Sequence, residues 1–144
     1  MPRIEGLALY QIVGEHADIV APNARFGILP IHVRELVLVL MADDGTQGIS
    51  VLPPSVDAAT EASLGWLINT DPREVFVWEG GRVTGWDGEF AERLAVCPPV
   101  DVALLDLCAK GAGCPLWALL GGRCRHEVPV YDSSVHFEDL VEPG

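Results

Sequence analysis

The amino-acid sequence predicts an α+β protein: a small antiparallel sheet packed on a helical bundle. Three observations carry this. Strand signals come first, an alternating run from Ile4 to Val13 and a nearly continuous apolar run from Val33 to Ala42 that ends in a hairpin turn at "DDGT", Asp43 to Thr46. Helix signals, with caps and a 3.6-residue period, follow Ser55. Strands first and helices afterwards is the order of an α+β layout rather than of alternating βαβ units.

The elements follow in order. Ile4 to Val13 alternates apolar and mixed residues up to Gly14 and reads as a strand. "GEHADIVAPNARFGILP", Gly14 to Pro30, has two prolines, two other glycine breaks and no helical period, so it reads as a long loop of the kind that is usually functional or disordered. Arg25 and Phe26 set a cation beside an aromatic near its tip, as expected where a loop covers a ligand; a solvated arginine and a phenylalanine tucked under the loop are the alternative. Val33 to Ala42 is a second strand, almost continuously apolar after Glu35 and expected to be covered on both faces. Gly45 suits the positive φ of the hairpin turn, and a return strand runs from Gly48 to Val51.

Ser55 reads as an N-cap for a helix reaching about Asn69 that buries Ala58, Ala62, Leu64, Leu67 and Ile68. Asp71 and Pro72 look like the cap and first position of another helix start. Glu79 to Phe90, punctuated by Gly80, Gly81, Gly85 and Gly88, reads as a turn-rich connection. Val100 to Lys110 is the clearest helix, with Val100, Ala103, Leu104, Leu107 and Cys108 forming one buried stripe. Asp106 and Lys110 stand four apart on it, a pair worth a few tenths of a kcal/mol. Pro115 opens a short helix, Gly121 and Gly122 close it, and Glu127 to Val135 alternates again as a strand.

Composition narrows the function. A formal charge of -12, with one lysine among nine basic residues, repels a phosphate backbone and excludes nucleic acid as a partner. No apolar run reaches the roughly eighteen residues of a membrane helix, and the N-terminus lacks the basic flank and apolar stretch of a signal peptide. The expected location is cytoplasmic. Cys97, Cys108, Cys114 and Cys124 include no C-x-x-C pair and are expected to be reduced, packed thiols. Asp43 and Asp44 belong to the turn, and Glu89 and Glu92 to a solvated helix face. His126 and His136 lie roughly 30 Å apart on an extended strand, too far for one metal. No catalytic residue and no metal ligand set can be nominated.

At "ALLDLCAKGAGCPLWALLGGRCRHEVPVYDSS" the chain resembles the mandelate racemase/muconate-lactonizing branch of the enolase superfamily. In that branch a helix of the form A-L-x-D-x-x-x-K leads through G-x-P-L to L-L-G-G, an arginine and V-P-V-Y. Ala103, Leu104, Asp106, Lys110, Gly113, Pro115, Leu119 to Gly122, Arg125 and Val128 to Tyr131 match in order. "VLVLMADDGTQG" looks like the branch's sheet hairpin and "DPREVFVW" like its helix start.

The resemblance implies a capping domain over residues 1–125 and the start of a (β/α)8 barrel over 126–144, truncated before the rest of a barrel of roughly 250 residues. It implies proton abstraction α to a carboxylate with the enediolate held on magnesium, as sugar-acid dehydration or racemisation. The bases and the magnesium ligands would lie on the barrel, so the chain is expected to carry no cofactor itself and to be inactive alone. Lys110 matches the cap's helix lysine, not a catalytic one. The segment with Arg25 and Phe26 occupies the place of the mobile lid over a small carboxylate substrate. Ser133, in a Y-D-S string, matches a substrate-contacting serine; a strand-end hydroxyl bonding local backbone is the alternative. Tyr131 and Asp132 read as packing and positioning residues. A barrel encoded separately, a stand-alone interaction module and a homo-oligomer all stay open as partner arrangements.

Overall fold

The computed structural model describes residues 2–15, 32–53, 56, 62–122, 125 and 127–130. Strands β1 (Ile4–Glu15), β2 (His32–Ala42) and β3 (Gln47–Leu52) form a three-stranded sheet in that order. β2 and β3 are antiparallel, with Leu36 opposite Leu52 and Met41 opposite Gln47. The hairpin turn is built as its sequence requires. Gly45 takes φ 85°, and the Asp44 carboxylate accepts the Thr46 backbone N–H at 2.8 Å. That bond holds the Asp44 carboxyl below the ordinary carboxylate range.

The inner face of the hairpin presents Leu38, Leu40, Ala42, Ser50 and Leu52, all buried. On the outer face Val37, Val39 and Met41 are only half-buried. β2 is therefore not covered on both faces as its apolar run suggested. Among the described residues, the packed helical layer lies on the inner side.

After β3 the sequence pattern misleads in three places. Of the helix expected from Ser55 to Asn69, residues 54, 55 and 57–61 lie outside the described ones. The remainder is a brief helical end at Ala62 and Ser63 that tightens into a 3-10 turn over Leu64–Leu67. In a 3-10 turn residues three apart share a face. Leu64 and Leu67 are buried accordingly, whereas Ala62 and Ile68 are exposed. Asn69 then reverses the chain at φ 66°.

Asp71 does cap, its Oδ1 accepting the Arg73 N–H at 2.9 Å, but it caps a turn and not a helix. The β-branched and aromatic run that follows forms β4 (Phe76–Glu79), paired antiparallel with β5 (Arg82–Trp86) in a second, two-stranded sheet. Gly80 and Gly81 turn the hairpin with φ 58° and 80°. The expected loop from Glu79 to Phe90 is thus a hairpin followed by a helix.

That helix, α1 (Gly88–Val96), is capped by Asp87, whose side chain accepts the Glu89 N–H at 3.0 Å. Glu89 and Glu92 face solvent, as read from the sequence. The Phe90 ring meets Trp66 at 5.5 Å, and the Arg93 guanidinium stacks 5.6 Å from Trp66, tying α1 to the 3-10 turn.

Helix α2 (Val100–Gly111) buries Val100, Ala103, Leu104, Leu107 and Cys108 as its period requires. It packs on β3 and centres the core, which also takes in Ile4, Val75, Phe76 and Leu94. Pro115 precedes the short α3 (Leu116–Leu119), and Gly121 and Gly122 end it at φ 113° and 92°. A β-branched residue resists that backbone. Gly122→Val is therefore expected to cost about 1–2 kcal/mol; a thermal melt equal to the parent's would contradict this exit geometry.

Residues 127–130, expected to begin a strand, form no strand and are exposed, with Val128 at 71% and Val130 at 89%. Residues 131–135 of that element lie outside the described ones. Backbone contacts divide the chain into one unit of Met1–Ile12 with Glu35–Cys124 and another of Val13–Arg34 with Arg125–Gly144. No described helix is long and apolar enough to cross a membrane.

Candidate functional site

The residues nominated for substrate contact, Arg25, Phe26 and Ser133, lie outside the described residues, as do Tyr131, Asp132, His126, His136 and Cys124. Among the described residues, the motif is carried by α2 and by the short α3 with its closing glycines.

Three polar links fasten α2 along β3. The Ser50 hydroxyl, buried on the inner face, donates to the Pro99 carbonyl at 2.6 Å. Asp106 Oδ2 accepts the Ile49 backbone N–H at 2.9 Å. Lys110 Nζ donates to the Gln47 carbonyl at 2.8 Å and to Asp106 Oδ2 at 2.7 Å. β3 is an edge strand, and the N–H of one residue and the carbonyl two positions before it point to the same side. The Asp–Lys pair thus presents one acceptor and one donor where a neighbouring strand would. This accounts physically for D-x-x-x-K: four residues on a helix place both groups on one face. Lys110 is engaged in the scaffold.

Two surface cavities adjoin this helix. A groove of about 460 Å³ runs between the β4–β5 hairpin and α2, lined by Trp86, Asp101, Leu105 and Leu120 among others. Burial raises the Asp101 carboxyl above its ordinary value, a hydrogen bond from Trp86 partly opposing it. A folded-state value above the unfolded 3.8 means that folding favours the protonated acid. That contribution is complete below 3.8 and is lost as pH rises through the folded value. Asp101→Asn is therefore expected to raise the melting temperature at pH 7 and to lose that advantage below pH 3.8. Equal melting temperatures at pH 7 would contradict it.

The second cavity, about 240 Å³, is lined by Arg73, Trp78, Gly81, Cys108 and Leu119 among others. The Arg73 guanidinium lies 5.0 Å from the Trp78 ring centre, and the Trp78 indole donates to the Arg73 carbonyl at 2.8 Å. Cys108, pushed up to about 12 chiefly by burial, stays a thiol and packs as an apolar group, with Cys97 raised for the same reason. Neither groove was legible in the sequence, because the hairpin that walls both was read as a helix start at Asp71 and Pro72 followed by a turn-rich connection from Glu79.

Asp101 has no second titratable group lining its groove with which to share acid–base work. Among the described residues no three His, Cys, Asp or Glu side chains gather to hold a metal. The described part of the chain therefore offers magnesium no fitting ligand set.

A sheet hairpin, a helix pinned on its free edge by D-x-x-x-K, and a proline-opened, glycine-closed helix together match the N-terminal capping fold of solved enolase-superfamily structures. The chain carries the N-terminal capping fold of the superfamily's mandelate racemase/muconate-lactonizing branch. A D-galactonate dehydratase family member of Salmonella virchow is 33% identical over 87 residues, 60% of this chain and 20% of the relative. D-Galactarolactone cycloisomerase of Agrobacterium fabrum is 34% identical over 116 residues, 76% of this chain and 30% of the relative. A mandelate racemase/muconate lactonizing enzyme from Roseovarius nubinhibens superposes with a TM-score of 0.67 at 20% identity. That match covers 92% of this chain and 37% of the other, and supports the fold. The chain spans about a fifth to a third of the length of these curated relatives. No family model matches it.

Proposed function

We propose that this chain is the capping domain of a magnesium-dependent enzyme that abstracts a proton α to the carboxylate of a sugar acid, leading to dehydration or isomerisation. The observation that carries this reading is the likeness to relatives named for D-galactonate dehydratase and D-galactarolactone cycloisomerase chemistry. Magnesium would supply charge stabilisation to the enediolate from ligands on a barrel domain, joined to this chain or supplied by a second polypeptide. The cap's part is to bind and enclose. The Arg25 guanidinium offers a charge partner for a substrate carboxylate, Phe26 an apolar cover, and Ser133 a hydroxyl for hydrogen bonding. Closure over the substrate excludes water from the reacting centre.

The test is an assay of the chain alone and together with a barrel domain, with magnesium and a panel of sugar acids that includes galactonate. Turnover is expected only with the barrel present. Arg25→Ala should then raise KM about tenfold or more, the loss of one charge-assisted hydrogen bond. Turnover by the chain alone would overturn the dependence on a barrel. Failure of the combined protein on every sugar acid would overturn the substrate class.

A further inference from the structure

The groove between the β4–β5 hairpin and α2 combines an apolar wall with a single charge. Val83, Trp86, Leu105 and Leu120 supply the wall, and of these Trp86 stays 40% and Leu120 53% exposed. Asp101 is the charged residue among the described lining. Its carboxylate is held by hydrogen bonds from the Trp86 side chain and the Val102 backbone N–H. An ionised carboxylate accepts about four such bonds, so it keeps acceptor capacity for a ligand. No cationic side chain of the described lining takes up that capacity.

We propose that this groove binds a small organic ammonium ion, with its charged head on Asp101 and its apolar body along Trp86, Leu105 and Leu120. The volume suits such a ligand: about 460 Å³ lies within the range of small-molecule pockets, about 300–1,000 Å³. The charge suits it as well. The chain carries a formal -12, a field that draws cations towards it, and Asp101 converts that attraction into a directional bond. A carboxylate ligand, a sugar acid included, would meet like charge. A metal ion lacks ligands, because among the described residues no three His, Cys, Asp or Glu side chains gather, and an apolar wall offers it no donors. The site does not depend on the reaction proposed for the barrel.

The setting of Asp101 agrees with this role. It lies in the first turn of α2, where the helix dipole favours its charge. Burial nevertheless outweighs the dipole and both hydrogen bonds, and holds the carboxyl above its ordinary value. An ammonium head beside it favours the charged form again. A carboxylate kept beside an apolar wall at some cost to stability is the arrangement of a binding group.

Titration of the full chain with phenethylammonium, followed at the Trp86 indole N–H resonance, is expected to saturate with a Kd of about 1 mM, ordinary for so small a ligand. Neutral phenethyl alcohol should bind about tenfold more weakly, and phenylacetate more weakly still. Asp101→Asn should weaken the ammonium ion about tenfold or more and leave the alcohol within about twofold. Since that variant is expected to melt higher than the parent at pH 7, lost binding would not reflect lost folding. Glu92→Gln removes the same charge from an exposed position on α1 and should leave every Kd within about twofold. Equal weakening by the two substitutions would overturn the proposal, because net charge alone would then attract the cation. Phenylacetate binding as tightly as the ammonium ion, or no saturation by about 10 mM, would also overturn it.

Discussion

Gly48→Ala is expected to lower the stability of the chain by about 3 kcal/mol, at the upper end of the cost of overpacking a core. The melting temperature should fall by roughly 10 °C. Gly48 does not need its glycine for a positive φ. It needs it for space. A Cβ there would collide with the Ala103 carbonyl oxygen and stand 2.7 Å from Leu107 Cγ. The first of these atoms is helix backbone, which cannot rotate away as a side chain can. Relief would require β3 and α2 to separate, and with them the Ser50, Asp106 and Lys110 links. Gly85→Ala is the control: it also sits in a strand, and an added Cβ there meets nothing within 4 Å. Thermal melts that lower both variants equally would show that α2 does not lie this close to the strand.

The sequence pattern was most reliable where one periodicity ran undisturbed. The stripe of α2 and the Asp43–Thr46 turn appear as read, because in each the local signal and the packing agree. It failed where short segments drew their structure from a neighbour. Phe76 to Trp78 becomes a strand only because Gly80 and Gly81 fold Arg82 to Trp86 back against it. Leu64 to Leu67 changes winding, so the apolar positions counted at α-helical spacing fall on the wrong face.

The site was legible in a different way. Ordered motif positions identified the capping fold, yet they said nothing of why Asp106 and Lys110 stand four apart. The i, i+4 rule assigns them a minor surface pair, because the strand edge they meet is more than fifty residues away in sequence. Asp101 and Trp86 likewise belong to elements that only the tertiary fold brings to one groove.

Asp106→Ala is expected to cost about 2 kcal/mol, well above the few tenths that an exposed helical ion pair supplies. The carboxylate accepts two charge-assisted bonds, one from Lys110 and one from the Ile49 backbone N–H. Truncation leaves that N–H without its protein partner and frees Lys110 from its position over Gln47. Asp106→Asn retains an acceptor for Ile49 but not the charge, and should cost about half as much. Lys110→Met keeps the aliphatic stem, loses the donor to Gln47, and should cost less than Asp106→Ala because the Gln47 carbonyl lies at an exposed position. Denaturant melts of the two single variants and the double variant measure the coupling directly. A coupling near 1 kcal/mol fits a pair that works as a unit on the strand edge. If Asp106→Ala costs no more than Lys110→Met and the coupling is about 0.3 kcal/mol, the pair is an ordinary surface contact and the edge is held by other means.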